Sequence, residues 1–125
     1  MGRTSFKRLG ERELEVLNAV WELGHATVAD VRAILLKQRS VAYTTVMTTM
    51  KKLADKGYLS YTEEEKKYVY SPAKTSSEVR RGLLTDLVSS AFKGSTLSLV
   101  QTLVADESIS ETELAEIKRI IEELE

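Results

Sequence analysis

Residues 44–72 read TTVMTTMKKLADKGYLSYTEEEKKYVYSP, and the period of the apolar side chains changes midway. From Thr44 to Lys56, Val46, Thr49, Met50 and Leu53 recur at the spacing of one helix face, and Gly57 supplies the stop. The runs Tyr58-Leu59-Ser60-Tyr61-Thr62 and Lys67-Tyr68-Val69-Tyr70-Ser71 are β-prone instead. They flank the charged stretch Glu63-Glu64-Glu65-Lys66 and close at Pro72, which predicts a two-stranded hairpin with a charged tip. A hairpin alone is marginal in water, so this one must pack on the helices before it.

Two further helices precede this stretch. Leu14, Leu17, Val20 and Trp21 share one face over 11–23, with Glu13, Glu15, Asn18 and Glu22 on the other and Gly24 as the end. Thr27 has the short hydroxyl of an N-cap, and the helix it opens runs to about Gln38 with Val28, Val31 and Leu35 inward. Helix, helix, helix, hairpin is the winged-helix order. After the hairpin the pattern returns to helix from Ser76 to Phe92, breaks at Lys93-Gly94-Ser95, and resumes from about Thr96 to Ala105. Ser110-Glu111-Thr112-Glu113 is a capping box that opens a sixth helix carrying Leu114, Ile117, Ile121 and Leu124.

The fold class expected is mostly α with a small β-hairpin: a winged helix-turn-helix over 1–74 and a helical dimerisation segment over 75–125. The second segment has too little mass for an independent core and needs a partner surface. Its apolar positions Val79, Leu83, Leu87, Val100, Leu103, Leu114, Ile117 and Ile121 are the candidate dimerisation residues.

Composition narrows the function. With 125 residues, 42% apolar and 30% charged, the chain has the make-up of a soluble globular protein with one small core. It has no cysteine and one histidine, which excludes disulfides, thiolate metal sites, cysteine nucleophiles and multi-histidine metal cages. Neither cofactor nor metal is expected. No run approaches the roughly 20 apolar residues of a membrane span, and Met1–Arg8 has no apolar stretch behind its charges, so a cytoplasmic protein without a membrane partner is expected. Adjacent acids such as Glu63-Glu64 and Glu122-Glu123 read as solvated charge, and His25 has no carboxylate or serine partner nearby in sequence. An enzyme is therefore not expected.

The net charge of −1 conceals an uneven distribution. Through Arg81 the chain carries 15 Lys and Arg against 10 Asp and Glu, and beyond it 3 against 9. A basic front and an acidic rear suit a protein whose front half faces phosphates. In the third helix the inward stripe leaves Tyr43, Thr44, Thr45, Met47, Thr48, Lys51 and Lys52 on the outward and flanking faces. Hydroxyls and methyls near a helix start meet base edges and thymine methyls in the major groove, while lysines downstream reach phosphates. Threonine is a poor helix former, so four in six positions (Thr44, Thr45, Thr48, Thr49) run against propensity and point to function. Lys66 and Lys67 at the hairpin tip are candidates for flanking backbone contacts, and Arg3, Lys7 and Arg8 for a basic arm.

At this point the sequence resembles the penicillinase-repressor (BlaI/MecI/CopY) family of bacterial transcriptional regulators. The resemblance rests on Leu14-Glu15-Val16-Leu17, Val20-Trp21, the stretch Ala42 to Met50, Leu53-Ala54-Asp55-Lys56-Gly57-Tyr58-Leu59, Phe92-Lys93-Gly94-Ser95 and Ser98-Leu99-Val100. It implies a homodimeric repressor on an inverted-repeat operator in double-stranded promoter DNA, commonly of β-lactam-resistance or copper-response genes. It also implies an inducing protease as a partner. Where the resistance repressors carry an Asn-Phe bond that such a protease cuts, this chain has Thr102-Leu103, the candidate induction site, so a cut here would need a protease of different residue preference. The cysteine ligands of the copper-responsive relatives are missing, which removes thiolate-based copper sensing. The alternative reading is a winged helix that binds protein partners without sequence-specific DNA binding. The polar third-helix face and the basic front half separate the two.

Overall fold

The computed structural model describes residues 8–124, so Arg3 and Lys7 of the expected basic arm lie outside the described residues. Six helices and one hairpin follow in the order α1 (Glu11–Leu23), α2 (Val28–Leu35), α3 (Tyr43–Asp55), β1 (Leu59–Glu64), β2 (Lys67–Pro72), α4 (Ser76–Ala91), α5 (Thr96–Val104) and α6 (Glu111–Glu122). This is the expected mostly-α winged helix. Compactness divides the chain into two units, one ending at Leu83 and the other beginning at Leu84.

The first unit is held by one core. Val16, Leu17 and Val20 of α1, Val28, Val31 and Leu35 of α2, and Val46, Met50 and Leu53 of α3 close over one another, with Tyr58, Leu59 and Tyr70 from the hairpin sealing one side. Thr27 caps α2 as its sequence predicts, accepting from the Asp30 amide at 3.2 Å, while the Asp30 carboxylate accepts from the Thr27 amide at 3.0 Å. Helix α2 ends at Leu35, three residues short of the expected Gln38, because the amides of Lys37 and Gln38 turn back to the carbonyls of Ile34 and Leu35. Trp21 is half-buried, and its indole N–H donates to the Lys74 carbonyl at 3.0 Å, tying α1 to the chain that leaves the hairpin.

The hairpin is longer and tighter than the sequence suggests. Leu59 pairs with Pro72 and Glu64 with Lys67, so Glu63 and Glu64 lie in β1 rather than in a loop. Pro72 is the last residue of β2 rather than its boundary, a place where a missing N–H is tolerated in a two-stranded sheet. The wing is fastened from behind by the pair Ala26 and Tyr70, whose amides and carbonyls exchange two 2.8 Å hydrogen bonds.

Helix α4 corrects one assignment. Val79, expected on the dimerisation face, is fully buried in the first unit's core, and Leu83 packs against that core from its edge. The compact division accordingly falls after Leu83, not after residue 74. In the second unit Ser95 caps α5 by accepting from the Ser98 amide, and Ser110 caps α6 by accepting from the Glu113 amide. Neither α5 nor α6 contains a buried residue: Leu99, Leu114 and Ile117 are half-buried, while Leu97, Leu103 and Ile121 are exposed.

Two ion pairs lock the helices of the first unit and set a pH dependence. Lys56 at the end of α3 donates to both carboxylate oxygens of Glu13 in α1, at 2.7 and 2.8 Å, and Arg39 donates to Glu15. Burial raises the Glu13 pKa, but the bonds from Lys56 and the Gly10 amide outweigh it and leave the carboxyl below its ordinary 4.5. The Arg39 guanidinium holds Glu15 below the ordinary value as well. Both groups bind protons more weakly folded than unfolded, so their stabilisation is complete above about pH 4.5 and disappears as pH falls through the lower folded-state values. A plot of urea midpoint against pH is expected to drop on that acid side, and Glu13→Gln to make the drop shallower.

Candidate nucleic-acid interface

The sequence-predicted residues of α3 separate into three groups once the helix is placed. Val46, Met50 and Leu53 are buried, which turns Thr44, Thr48, Lys51 and Lys52 directly outward. Tyr43 and Met47 lie on the edge that faces the hairpin, and Met47 is partly buried against the core. Thr45 lies on the opposite edge, beside Arg12, Val16, Arg39 and Thr49. Thr49 itself is half-buried and its hydroxyl donates to the Thr45 carbonyl at 2.8 Å. That local bond accounts for one of the four threonines, a common use of the residue inside helices. Thr44, Thr45 and Thr48 remain exposed.

The start of α3 is suited to an anionic partner. Its N-cap is Ala42, which has no side-chain acceptor, so the first-turn amides receive no cap from it. Such amides and the positive end of the helix attract phosphate. Lys51 and Lys52 follow two turns later, and among the described residues neither forms an ion pair, in contrast to Lys56. Lys52 still feels the Glu13 carboxylate at longer range, whereas Lys51, among the described residues, has no such interaction and keeps its full charge available to a polyanion.

The wing adds a second cationic element under strain. Glu65 and Lys66 form the two-residue turn with φ of 52° and 68°, the backbone of a tight hairpin turn that favours Asn-Gly. A side chain larger than that of glycine costs about 1 kcal/mol or more in this left-handed region, and such strain concentrates at functional sites. Lys66 and Lys67 are exposed at this tip and, among the described residues, unpaired. Lys66→Gly is expected to raise the stability of the chain by about 0.5–1 kcal/mol in urea unfolding, through relief of that strain. A stability loss would contradict the strain assignment.

Sequence reasoning overlooked the aromatic face of the wing. Tyr61 pairs across the hairpin with Tyr70, and Tyr68 lies two residues before Tyr70 on the same side. Their rings meet at a tilt, with centroids 4.8 Å apart for Tyr61 and Tyr68 and 5.4 Å apart for Tyr61 and Tyr70. Tyr70 is buried, whereas Tyr61 and Tyr68 are exposed. The alternation of Tyr68 and Tyr70 is visible in sequence, but the cross-strand partner depends on the register. Tyr43, Met47 and Lys51 on α3 face Tyr68, Lys66 and Lys67 of the wing across an open recess of about 380 Å³.

The remaining candidates lie in the second unit. Thr102 and Leu103 are exposed within the last turn of α5, and Leu87, Val100 and Ile121 are exposed as well, while Leu114 and Ile117 are half-buried. Among the described residues no group of three or more His, Asp or Glu side chains is placed to hold a metal ion, and no helix is long and apolar enough to cross a membrane.

The chain is similar to known proteins over most of its length. A family model described as penicillinase repressor matches residues 9–123. The chain is 31% identical over 120 residues to the transcriptional regulator BlaI of Mycobacterium tuberculosis, covering 94% of this chain and 86% of that protein. It is 24% identical over 113 residues to the methicillin resistance regulatory protein MecI of Mammaliicoccus sciuri, covering 90% and 92%. Among solved structures, the DNA-binding domain of the repressor BlaI aligns with a TM-score of 0.53 at 25% identity, covering 61% of this chain and 93% of that one. The monomeric form of Bacillus licheniformis BlaI in complex with the blaP half-operator aligns with a TM-score of 0.50 at 26% identity, covering 59% and 90%.

Proposed function

The chain belongs to the penicillinase repressor family, and from that membership we propose that it is a transcriptional repressor whose homodimer binds an inverted-repeat operator in promoter DNA through α3. The observation that carries the reading is the outward face of α3, where Thr44 and Thr48 stand beside the exposed Lys51 and Lys52, flanked by a lysine-tipped wing. Threonine hydroxyls and methyls at the start of the helix read base edges, and the lysines anchor phosphates on either side. Tyr43, Thr45 and Met47 border the reading face, and Lys66 and Lys67 reach the neighbouring backbone.

Dimerisation is supported by the second unit. Leu97, Leu103 and Leu124 are 67%, 50% and 71% exposed, an apolar display that a single chain leaves in water. Burying it between two copies would relate the two α3 helices by a two-fold axis, as half-sites roughly 34 Å apart, or a multiple of that, require. Leu87, Val100, Leu103, Leu114, Ile117 and Ile121 are the residues assigned to that interface. An inducing protease fits the same scheme: a cut at Thr102-Leu103 would separate α6 from the rest of the chain and take its apolar face out of the dimer.

Paired substitutions test the division of labour on α3. Lys51→Ala is expected to weaken binding to every DNA sequence and to lower the salt slope by about one. Thr48→Ala is expected to relax discrimination at one base pair, by roughly 1–3 kcal/mol at most. Equal losses on operator and random DNA from both variants would contradict it.

A further inference from the structure

The recess between α3 and the wing has a chemistry that DNA binding uses only in part. Its volume of about 380 Å³ falls within the range of small-ligand sites. Two of its walls are aromatic rings left open to water: Tyr43 from α3 is 48% exposed and Tyr68 from β2 is 43% exposed. Between them Met47, packed on the core below, offers a polarisable thioether. Around the opening stand Lys51, Lys66 and Lys67, opposed by the single carboxylate of Glu63. Among the described residues the three lysines form no ion pair, and the phenol hydroxyls of Tyr43 and Tyr68 donate no hydrogen bond.

We propose that this recess binds a small planar aromatic carboxylate and that an occupied recess excludes DNA from α3. The regulatory half of the proposal rests on the repressor reading given above. A phosphate backbone would satisfy the lysines, but it has no flat apolar group to lay against Tyr43, Tyr68 and Met47. A neutral aromatic would cover the rings and leave the net positive charge unanswered. An aromatic ring carrying a carboxylate does both: the ring stacks on the tyrosines, and the carboxylate accepts from the lysines and the tyrosine hydroxyls. Because Lys51 and Met47 also belong to the face and edge of α3 that meet the operator, ligand and DNA compete for the same groups.

The test uses the full chain and three probes: 2-naphthoate, its neutral counterpart 2-naphthalenemethanol, and acetate. Calorimetric titration without DNA is expected to give one 2-naphthoate per chain, bound about tenfold or more tighter than the alcohol, with no acetate binding. Tyr68→Ala, an exposed position, and Met47→Trp, which fills the recess, should each reduce 2-naphthoate affinity about tenfold or more. Equal affinity for the alcohol, or undiminished binding in Tyr68→Ala, overturns the site. In the second arm, the apparent Kd for promoter DNA should rise in proportion to 2-naphthoate concentration above its own Kd. A chain that binds its promoter but not 2-naphthoate refutes this inference and leaves the repressor reading standing. One that binds 2-naphthoate but no DNA supports the site and refutes the repressor reading. Simultaneous binding without mutual effect overturns the exclusion.

Discussion

Leu103→Asp combined with Ile121→Asp is expected to give a chain that sediments at monomer mass and binds operator DNA about 100-fold more weakly, a loss of about 2.7 kcal/mol. Both positions are exposed in the second unit, on helices α5 and α6 that bury no residue of their own. In a lone chain each substitution exchanges one exposed side chain for another and leaves folding nearly unchanged, since surface changes of this kind stay within about 0.5 kcal/mol. In a dimer each places a carboxylate in an apolar contact, once per copy, and desolvating an unpaired charge costs several kcal/mol. The contrast between an unaffected fold and a lost dimer is the signature of an interface. A double variant that remains dimeric would place the interface elsewhere.

Tyr70→Ala carries the largest expected stability effect, about 3–5 kcal/mol by analogy with other buried aromatic truncations. The ring is buried where the wing meets the helices and contacts Tyr61 and Tyr68, and the backbone at this position exchanges two hydrogen bonds with Ala26. Removing the ring opens a cavity under the wing and frees the tyrosines above it. For a unit of this size, with a total stability of about 5–15 kcal/mol, much of the folded population is at risk. The expected readout is a lower urea midpoint together with weaker DNA binding. A conservative Tyr70→Phe should retain most of the stability. Equal midpoints for Tyr70→Ala and the unsubstituted chain would show that the hairpin is not fastened through this ring.

The helices of the first unit were legible because their apolar stripes repeat at helical spacing and because Thr27 and the glycines mark ends. The wing was legible as a hairpin but not as a tight one. Glutamate disfavours strands, so Glu63 and Glu64 read as loop, yet the pairing of Glu64 with Lys67 leaves only Glu65 and Lys66 to turn the chain. That turn carries none of the usual Asn-Gly signal. Val79 shows the limit of periodicity: Val79, Leu83 and Leu87 form one continuous stripe along α4, but the first is buried in the winged core and the last is exposed. A stripe says that a face is apolar, not which partner covers it. The ion pair of Glu13 with Lys56 joins residues 43 positions apart and has no local signature. At the candidate interface, α3 could be read residue by residue, whereas the tyrosine face of the wing required the strand register.

Fluorescence anisotropy of the purified chain with its own promoter fragment and with a scrambled duplex, at two salt concentrations, decides whether it is a dimeric repressor. A homodimeric repressor gives a marked preference for the promoter, two chains per bound duplex, and affinity that falls steeply as salt rises. Weak and equal binding to both duplexes would contradict it and favour a winged helix that serves a protein partner.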